Sequence, residues 1–101
     1  MRMILNVTMP PEPFNTLVRE GKAGEILGRI LDEMKPEAIY FTERDGQRGA
    51  IAIVDVSEPS QVPGVCEPWF LSFNAQCRLR IAMSGEELQK AGLGEIAERW
   101  G

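Results

Sequence analysis

Five polar side chains in this sequence could act together on a small organic molecule: Asn6, Tyr40, Asp55, Arg78 and Arg80. Arginine binds a carboxylate through two parallel hydrogen bonds. Tyr40 could donate a hydrogen bond to an enolate or phenolate, and Asp55 could act as a general base if burial raised its pKa. The set predicts a binding site for a small anionic ligand, provided that the fold brings the five side chains together.

Each candidate also has a structural interpretation, which we favour. Arg78 and Arg80 alternate on a strand predicted at a sheet edge, where charged side chains deter aggregation. Asp55 could pair with an arginine across a dimer. Trp69 is a sixth candidate ligand-binding residue, either as part of the core or as the wall of a pocket. Glu67, which precedes a proline, either points into the mouth of a pocket or lies in solvent at the end of a helix.

The composition argues against several classes of protein. The chain has no histidine, which removes the commonest general base and metal ligand. Cys66 and Cys77 are too few and too widely spaced for a usual zinc site and fit structural thiols in a reducing cytoplasm, although a perturbed thiolate at Cys66 stays open. A formal net charge of -4 offers no basic stripe for nucleic acid, and no apolar run is long enough to span a membrane. We therefore expect a cytoplasmic protein with no cofactor, metal, nucleic-acid or membrane partner.

A hairpin over residues 37–56 organises the predicted fold. Asp45-Gly46 separates two runs rich in β-branched and aromatic residues, and this pair suits a two-residue type I′ turn. With that turn, Glu43 faces Arg48 across the hairpin and predicts a surface charge pair. One face of the hairpin then carries Tyr40, Thr42, Ile51, Ile53 and Asp55. This face is mixed in character, but it is too apolar to be left in water.

Two further strands are predicted on either side of this hairpin. Alternation over residues 2–8 places Ile4, Asn6 and Thr8 on one face of a first strand. Residues 74–83 form the last strand, with Gln76, Arg78 and Arg80 on one side. Its other side, predicted to face the core, carries Cys77, Leu79, Ile81 and Met83.

Helical spacing fills the segments between and after the strands. Residues 14–35 predict a helix with a break near Gly21 and Gly24, and their glycine spacing fits no phosphate-binding motif. Residues 57–73 predict a short, irregular helix that Pro68 should kink or split. Ser84 and Glu87 form a capping box at the start of a C-terminal helix, which residues 92–94 should break in two.

The order strand, helix, strand, strand, helix, strand defines a ferredoxin-like βαββαβ unit, followed by a C-terminal helix. We expect one α+β domain over residues 1–101, with an antiparallel four-stranded sheet whose first and third strands are central. Both main helices lie on one face. The opposite face is half apolar, so we expect a second copy to pack on it and close a homodimeric α/β barrel. The alternative is that the C-terminal helix covers this face within one subunit.

Four stretches carry a resemblance to a known family. They are residues 67–75 (EPWFLSFNA), 12–15 (EPFN), 37–43 (EAIYFTE) and 45–49 (DGQRG). Over nearly its whole length the chain resembles an uncharacterised family of bacterial proteins of about this size, which implies no activity. A pantothenate-synthetase-like label, sometimes given to such families, is rejected because that enzyme class resembles nucleotidyl transferases with a paired-histidine signature.

The inferred shape is also similar to the dimeric α/β barrel superfamily, which includes muconolactone isomerases, cofactor-free monooxygenases and stress-responsive proteins. This likeness is one of fold, and fold does not fix function.

Two functional hypotheses follow from the sequence. The first is a homodimeric binding or interaction module without catalysis, whose pocket takes a small organic ligand of anionic character. The second is a cofactor-independent isomerase or monooxygenase that uses Tyr40, Asp55 and an arginine. The absence of histidine and of any recognisable triad favours the first. An enclosed cavity containing a carboxyl group of raised pKa would favour the second.

Overall fold

An antiparallel sheet of four strands forms the frame of the molecule, for which a computed structural model describes all 101 residues. The strands are β1 (Arg2–Met9), β2 (Ala38–Arg44), β3 (Gln47–Asp55) and β4 (Gln76–Ile81). Their order across the sheet is β2-β3-β1-β4, and every neighbouring pair is antiparallel. The predicted ferredoxin-like α+β fold is therefore confirmed, with the first and third strands at the centre of the sheet.

Five helices complete the chain. They are α1 (Pro11–Arg19), α2 (Ala23–Met34), α3 (Val62–Phe73), α4 (Gly85–Lys90) and α5 (Leu93–Trp100), and a 3-10 turn over Pro59–Gln61 precedes α3. The first three helices share one core with one face of the sheet, since Phe14, Ile30 and Trp69 are buried against that face. The last two helices contribute no residue to this core.

The hairpin forms as its turn residues predict. Asp45 and Gly46 have φ values of 52° and 79°, the left-handed backbone that a two-residue I′ turn needs. The register pairs Arg44 with Gln47 and Glu43 with Arg48, as expected. The turn thus fixes which side chains of β2 and β3 share a face.

The breaks between helices follow the sequence in part. The predicted break lies at Gly21, whose φ is 73°, whereas Gly24 lies inside α2. Pro68 was expected to kink or split its helix, yet α3 is continuous over 12 residues with this proline inside it. The proline costs α3 one backbone hydrogen bond, but the burial of Trp69 and Phe73, one turn apart on the same helix face, offsets that loss.

The core lies between the sheet and the first three helices, and its one buried side-chain polar atom without a hydrogen-bond partner is Trp69 Nε1. Leu5, Trp69 and Phe73 are fully buried there, and no charged or polar side chain is buried with them. Two residues predicted to face the core, Ile81 and Met83, are exposed. Ile81 is the last residue of an edge strand and has strand neighbours on one side only, and Met83 lies beyond the strand.

The two last helices extend away from the sheet, and we call residues 84–101 the C-terminal arm. None of residues 85–101 is buried. The radius of gyration is 17.1 Å, whereas a compact domain of this length has about 13 Å. The longest dimension is 60 Å, against 28 and 20 Å for the others. The alternative in which the C-terminal helix covers its own sheet is therefore not what the structure shows.

Candidate functional site: the open face of the sheet

The face of the sheet that carries no helix, which we call the open face, is ordered by the cross-strand register into three rows. Each row runs from the edge strand β2 through β3 and β1 to the edge strand β4. The rows are Ala38-Ile53-Ile4-Arg80, Tyr40-Ile51-Asn6-Arg78 and Thr42-Gly49-Thr8-Gln76. The first two rows therefore change from apolar or aromatic side chains at one edge to arginine at the other.

This gradient divides the open face into two parts. The apolar half carries Tyr40, Ile51 and Ile53 on β2 and β3. The arginine half carries Arg78 and Arg80 on β4, and both guanidinium groups are exposed. The side chains of Tyr40 and Ile51 are 71% and 39% exposed, so nothing in this chain covers the apolar half.

The two arginines have no acidic partner. Every ion pair in the structure lies elsewhere, and neither Arg78 nor Arg80 makes a side-chain hydrogen bond. Their guanidinium groups lie on one face of one strand, two residues apart, which suits a shared anionic partner. The arginine half is therefore a free cationic surface at the edge of the sheet.

Asp55 lies at the end of β3, where its carboxylate contacts the start of β1. Its Oδ1 accepts a hydrogen bond from the Met1 ammonium at 2.8 Å. That hydrogen bond and the ammonium charge lower the pKa of Asp55, contrary to the raised pKa that a general base would require. The carboxylate is exposed rather than enclosed, so its role in this structure is to hold the start of β1.

Asn6 lies at the centre of the face and lines a depression that Gly49 also borders. The depression has a volume of about 180 Å³ and is lined by Asn6, Thr42, Arg44 and Ile51, among others. A Cβ on Gly49 would lie 3.1 Å from the Val7 carbonyl oxygen, which is closer than ordinary contact. The volume lies below the roughly 300 Å³ of small ligand pockets.

Trp69 does not join the other candidates. It is 0% exposed and lies in the core, on the opposite side of the sheet from Tyr40 and the two arginines. Its ring lies 6.2 Å from that of Phe73, and the Phe73 ring lies 5.0 Å from that of Phe14. Five of the six predicted ligand-binding residues thus share the open face, and Trp69 has a position in the core.

Trp69, Phe73 and Phe14 form a line of aromatic rings, and Arg48 makes a contact at its end that the sequence did not predict. The Arg48 guanidinium lies 4.5 Å above the centre of the Phe14 ring and donates a 2.7 Å hydrogen bond to Asn15 Oδ1. Glu43, the expected partner of Arg48, instead accepts a hydrogen bond from the Gly46 amide. The predicted register is correct and the predicted charge pair is wrong, because Asn15 and the ring offer a closer partner. The line of rings and the Arg48 contact thus bring together three of the four stretches that carry the family resemblance, residues 12–15, 45–49 and 67–75.

The two thiols belong to the contact between α3 and β4. Cys66 is buried and Cys77 is half-buried, with Cys77 Sγ 3.9 Å from the Cys66 carbonyl oxygen. Burial raises the pKa of both thiols, that of Cys77 to about 12. Both are therefore protonated at neutral pH, which is the state of structural thiols rather than of a reactive thiolate.

The largest concavity, of about 580 Å³, lies on the helical side between α2 and α3. Glu67 lines it, as one interpretation of the sequence expected, together with Arg29, Glu33 and Leu71. No three histidine, cysteine, aspartate or glutamate side chains converge in a way that could hold a metal ion. No helix combines the length and the apolar character needed to cross a membrane.

The order of strands and helices makes this chain a ferredoxin-like α+β protein. No family model matches the chain, and no curated protein matches it. Among solved structures, it is similar to the de novo designed protein Ferredog-Diesel. That likeness has a TM-score of 0.48 and 17% sequence identity, and it covers 80% of this chain and 85% of the designed one. The resemblance to a bacterial family stays a prediction from the sequence.

Proposed function

We propose that the protein is a homodimeric interaction module in which the open faces of two copies pack together and enclose a small site for an organic anion. The observation that carries this proposal is the uncovered apolar half of the open face. Tyr40 lies on an edge strand that has no buried residue, and Ile51 lies on a central strand whose opposite face is buried. A second copy offers the same surface, and a twofold axis through the apolar half buries both.

The anion site follows from Arg78 and Arg80, and Arg78 lies beside Asn6 in the cross-strand register. The depression beside Asn6 is lined by neither of these arginines, and Glu43 is among the residues that line it. Arg78 and Arg80 supply cationic donors without an internal acid partner. The enzyme hypothesis gains no support from the site, because the Asp55 carboxylate has a lowered pKa and is exposed.

Light scattering behind a sizing column tests the dimer. We expect a dimer at low micromolar concentration, and we expect Ile51→Arg to weaken its dissociation constant at least tenfold by placing a charge in the apolar half. Leu71→Arg is the control, since Leu71 is also an exposed aliphatic residue, 82% against 39% for Ile51, and lies on the helical side. A monomer at all concentrations, or equal effects of the two substitutions, would contradict the proposal.

Thermal-shift measurements with small aromatic carboxylates test the anion site. Stabilisation by such a ligand should be lost in Arg78→Gln and Arg80→Gln. Arg29→Gln, on the helical side, should keep it. Stabilisation that survives in both β4 variants would place the ligand elsewhere.

A further inference from the structure

The outer edge of β2 is the less protected of the two edges of the sheet. β4, at the other edge, carries two arginines, and charged side chains on an edge strand deter pairing with a further strand. β2 has neither a proline nor a charged residue from Ala38 to Thr42. None of its residues is buried, and both Tyr40 and Phe41 are more than half exposed. Nothing in the side chains of β2 therefore keeps a partner strand away.

The register shows which backbone groups of β2 are free. The two-residue turn makes Arg44 and Gln47 a hydrogen-bonded pair, and such pairs recur at every second residue of the hairpin. The even-numbered residues of β2 therefore bond to β3, whereas the N–H and C=O groups of Ile39, Phe41 and Glu43 point away from the sheet. None of these groups bonds to backbone outside the sheet. The edge thus presents one free donor and one free acceptor at each of three alternate residues.

We infer that the β2 strands of two copies pair in antiparallel fashion around a twofold axis at Phe41, which joins the two sheets edge to edge. In this register Phe41 lies opposite the partner's Phe41. Ile39 lies opposite the partner's Glu43, and Tyr40 lies opposite the partner's Thr42. All seven residues of the strand then overlap. This surface is distinct from the open face, and the inference does not depend on the proposed dimer.

The partner is a second copy because β2 is complementary to itself. The free groups lie at Phe41 and two residues to either side of it, so the twofold axis gives each donor an acceptor and each acceptor a donor. The charged residues of the strand do not face like charges in this pairing. Glu43 lies opposite Ile39. Arg44 lies opposite Ala38.

Pairing also covers Phe41. This residue lies opposite the buried Ala50, on the side of the sheet that carries the helices, yet it is 53% exposed. The extensive contacts of β2 are with β3 alone, so no helix shields the ring. Opposite residues of an antiparallel pair have Cβ atoms about 5 Å apart, which lets the two Phe41 rings reach the distance of about 4.5–7 Å between the centres of aromatic pairs.

Edge pairing leaves both open faces uncovered, so it adds to the proposed dimer rather than replacing it. One strand pair is a smaller contact than a sheet face, and we expect it to form at higher concentration. A protein that uses both contacts assembles as four copies. In Ile51→Arg, which weakens the open-face contact, edge pairing alone should still double the mass at high concentration.

Amide hydrogen exchange of the wild-type protein, followed by NMR, tests the inference residue by residue. The amides of Tyr40 and Thr42 bond to β3 and should exchange slowly at every concentration. Those of Ile39, Phe41 and Glu43 should exchange at least threefold more slowly in a concentrated sample than in a dilute one.

Light scattering on the same samples separates the results that would overturn the inference. Fast exchange at the three edge amides while the mass rises would keep the open-face contact and remove β2 from the assembly. Slow exchange at these amides in a monomeric sample would show that the edge is already covered within one chain. A mass that never rises, with fast exchange at the edge throughout, would overturn this inference and the proposed dimer together.

Two cysteine variants test the register. Opposite residues of a hydrogen-bonded pair have Cα atoms about 5.5 Å apart, a distance that a disulfide spans, so Phe41→Cys should give a disulfide-linked dimer with a mild oxidant. Glu43→Cys lies on the same side of the same strand, but its two copies lie four residues out of register, roughly 13 Å apart, and should not cross-link. Wild type controls for Cys66 and Cys77, which are buried and half-buried. Equal yields from the two variants would overturn the register.

Discussion

At the scale of single residues, the partner of a side chain decides what it does. Arg48 was expected to pair with Glu43, yet it binds Asn15 and covers the Phe14 ring. Asp55 could have acted as a base if burial had raised its pKa, yet it is exposed and a hydrogen bond from the Met1 ammonium lowers that pKa. Both partners are distant in sequence, so neither role is readable from local pattern. The two residues have structural partners, whereas Arg44, Arg78 and Arg80 on the open face have none.

Replacing Arg48 by lysine should cost about 1 kcal/mol of the free energy of unfolding. Lysine keeps the charge but cannot cover a ring and bind an amide oxygen with one flat group. Urea unfolding measures the change. Arg44→Lys is the control, because Arg44 makes no side-chain hydrogen bond or ion pair in the same hairpin, and its cost should stay below about 0.5 kcal/mol. Equal costs would mean that the contact with Phe14 and Asn15 adds no stability.

Asp55 should make stability depend on pH in one direction. Its pKa is lowered in the folded protein, so the contact with Met1 stabilises the fold above the ordinary carboxyl pKa of about 4. This contribution is lost as the pH falls through the lowered folded value. Wild type should therefore exceed Asp55→Asn in stability at pH 6, and the difference should vanish near pH 2. Asp32→Asn, which removes an exposed carboxylate without a partner, should show no such convergence.

At the scale of elements, local signals predicted the turns and breaks, and burial decided the rest. Asp45 and Gly46 specify their turn by backbone preference alone, and Ser84 with Glu87 forms the predicted cap, with reciprocal hydrogen bonds of 2.8 and 3.1 Å. Pro68 shows the limit of such signals, since its local effect predicted a broken helix. The packing of α3 on the sheet is a property of the whole core, and it keeps the helix intact.

Replacing a glycine by alanine should change the free energy of unfolding in opposite directions in a strand and in a helix. Gly49→Ala brings a Cβ within 3.1 Å of the Val7 carbonyl oxygen in a central strand and should destabilise the protein by about 1 kcal/mol. Gly28→Ala, in the interior of α2 with open space around it, should stabilise by about 0.5–1 kcal/mol. Chemical unfolding of both variants gives the two signs. A higher free energy of unfolding for Gly49→Ala would show that β1 can shift to make room for the Cβ without destabilising the protein.

At the scale of the whole molecule, the sequence predicted the sheet and its open face but not the direction of the C-terminal arm. The alternation of Tyr40, Ile51 and Arg78 places them on one face whatever lies beyond it. The apolar stripe at Leu93 and Trp100 predicts that this face of α5 packs against another surface, but it does not say which surface. Packing against a second copy would depend on protein concentration, which the sequence of a single chain does not contain.

Small-angle X-ray scattering should find the arm extended in the monomer. We expect a radius of gyration near 17 Å for a sample dilute enough to be monomeric, close to the 17.1 Å of the structure. A value near 13 Å, that of a compact domain of this length, would mean that the arm folds back on its own sheet.

The 60 Å length of the molecule also governs how it diffuses. A rod-like chain meets more friction than a sphere of equal mass, so a monomer elutes from a sizing column as if it were heavier. If two copies associate through their open faces, the pair becomes rounder as its mass doubles. Elution volume would then change little across the very transition of interest, and a calibration with globular standards would assign one apparent mass to both states. Only a mass measurement that does not depend on shape, such as light scattering, can distinguish an extended monomer from a compact dimer.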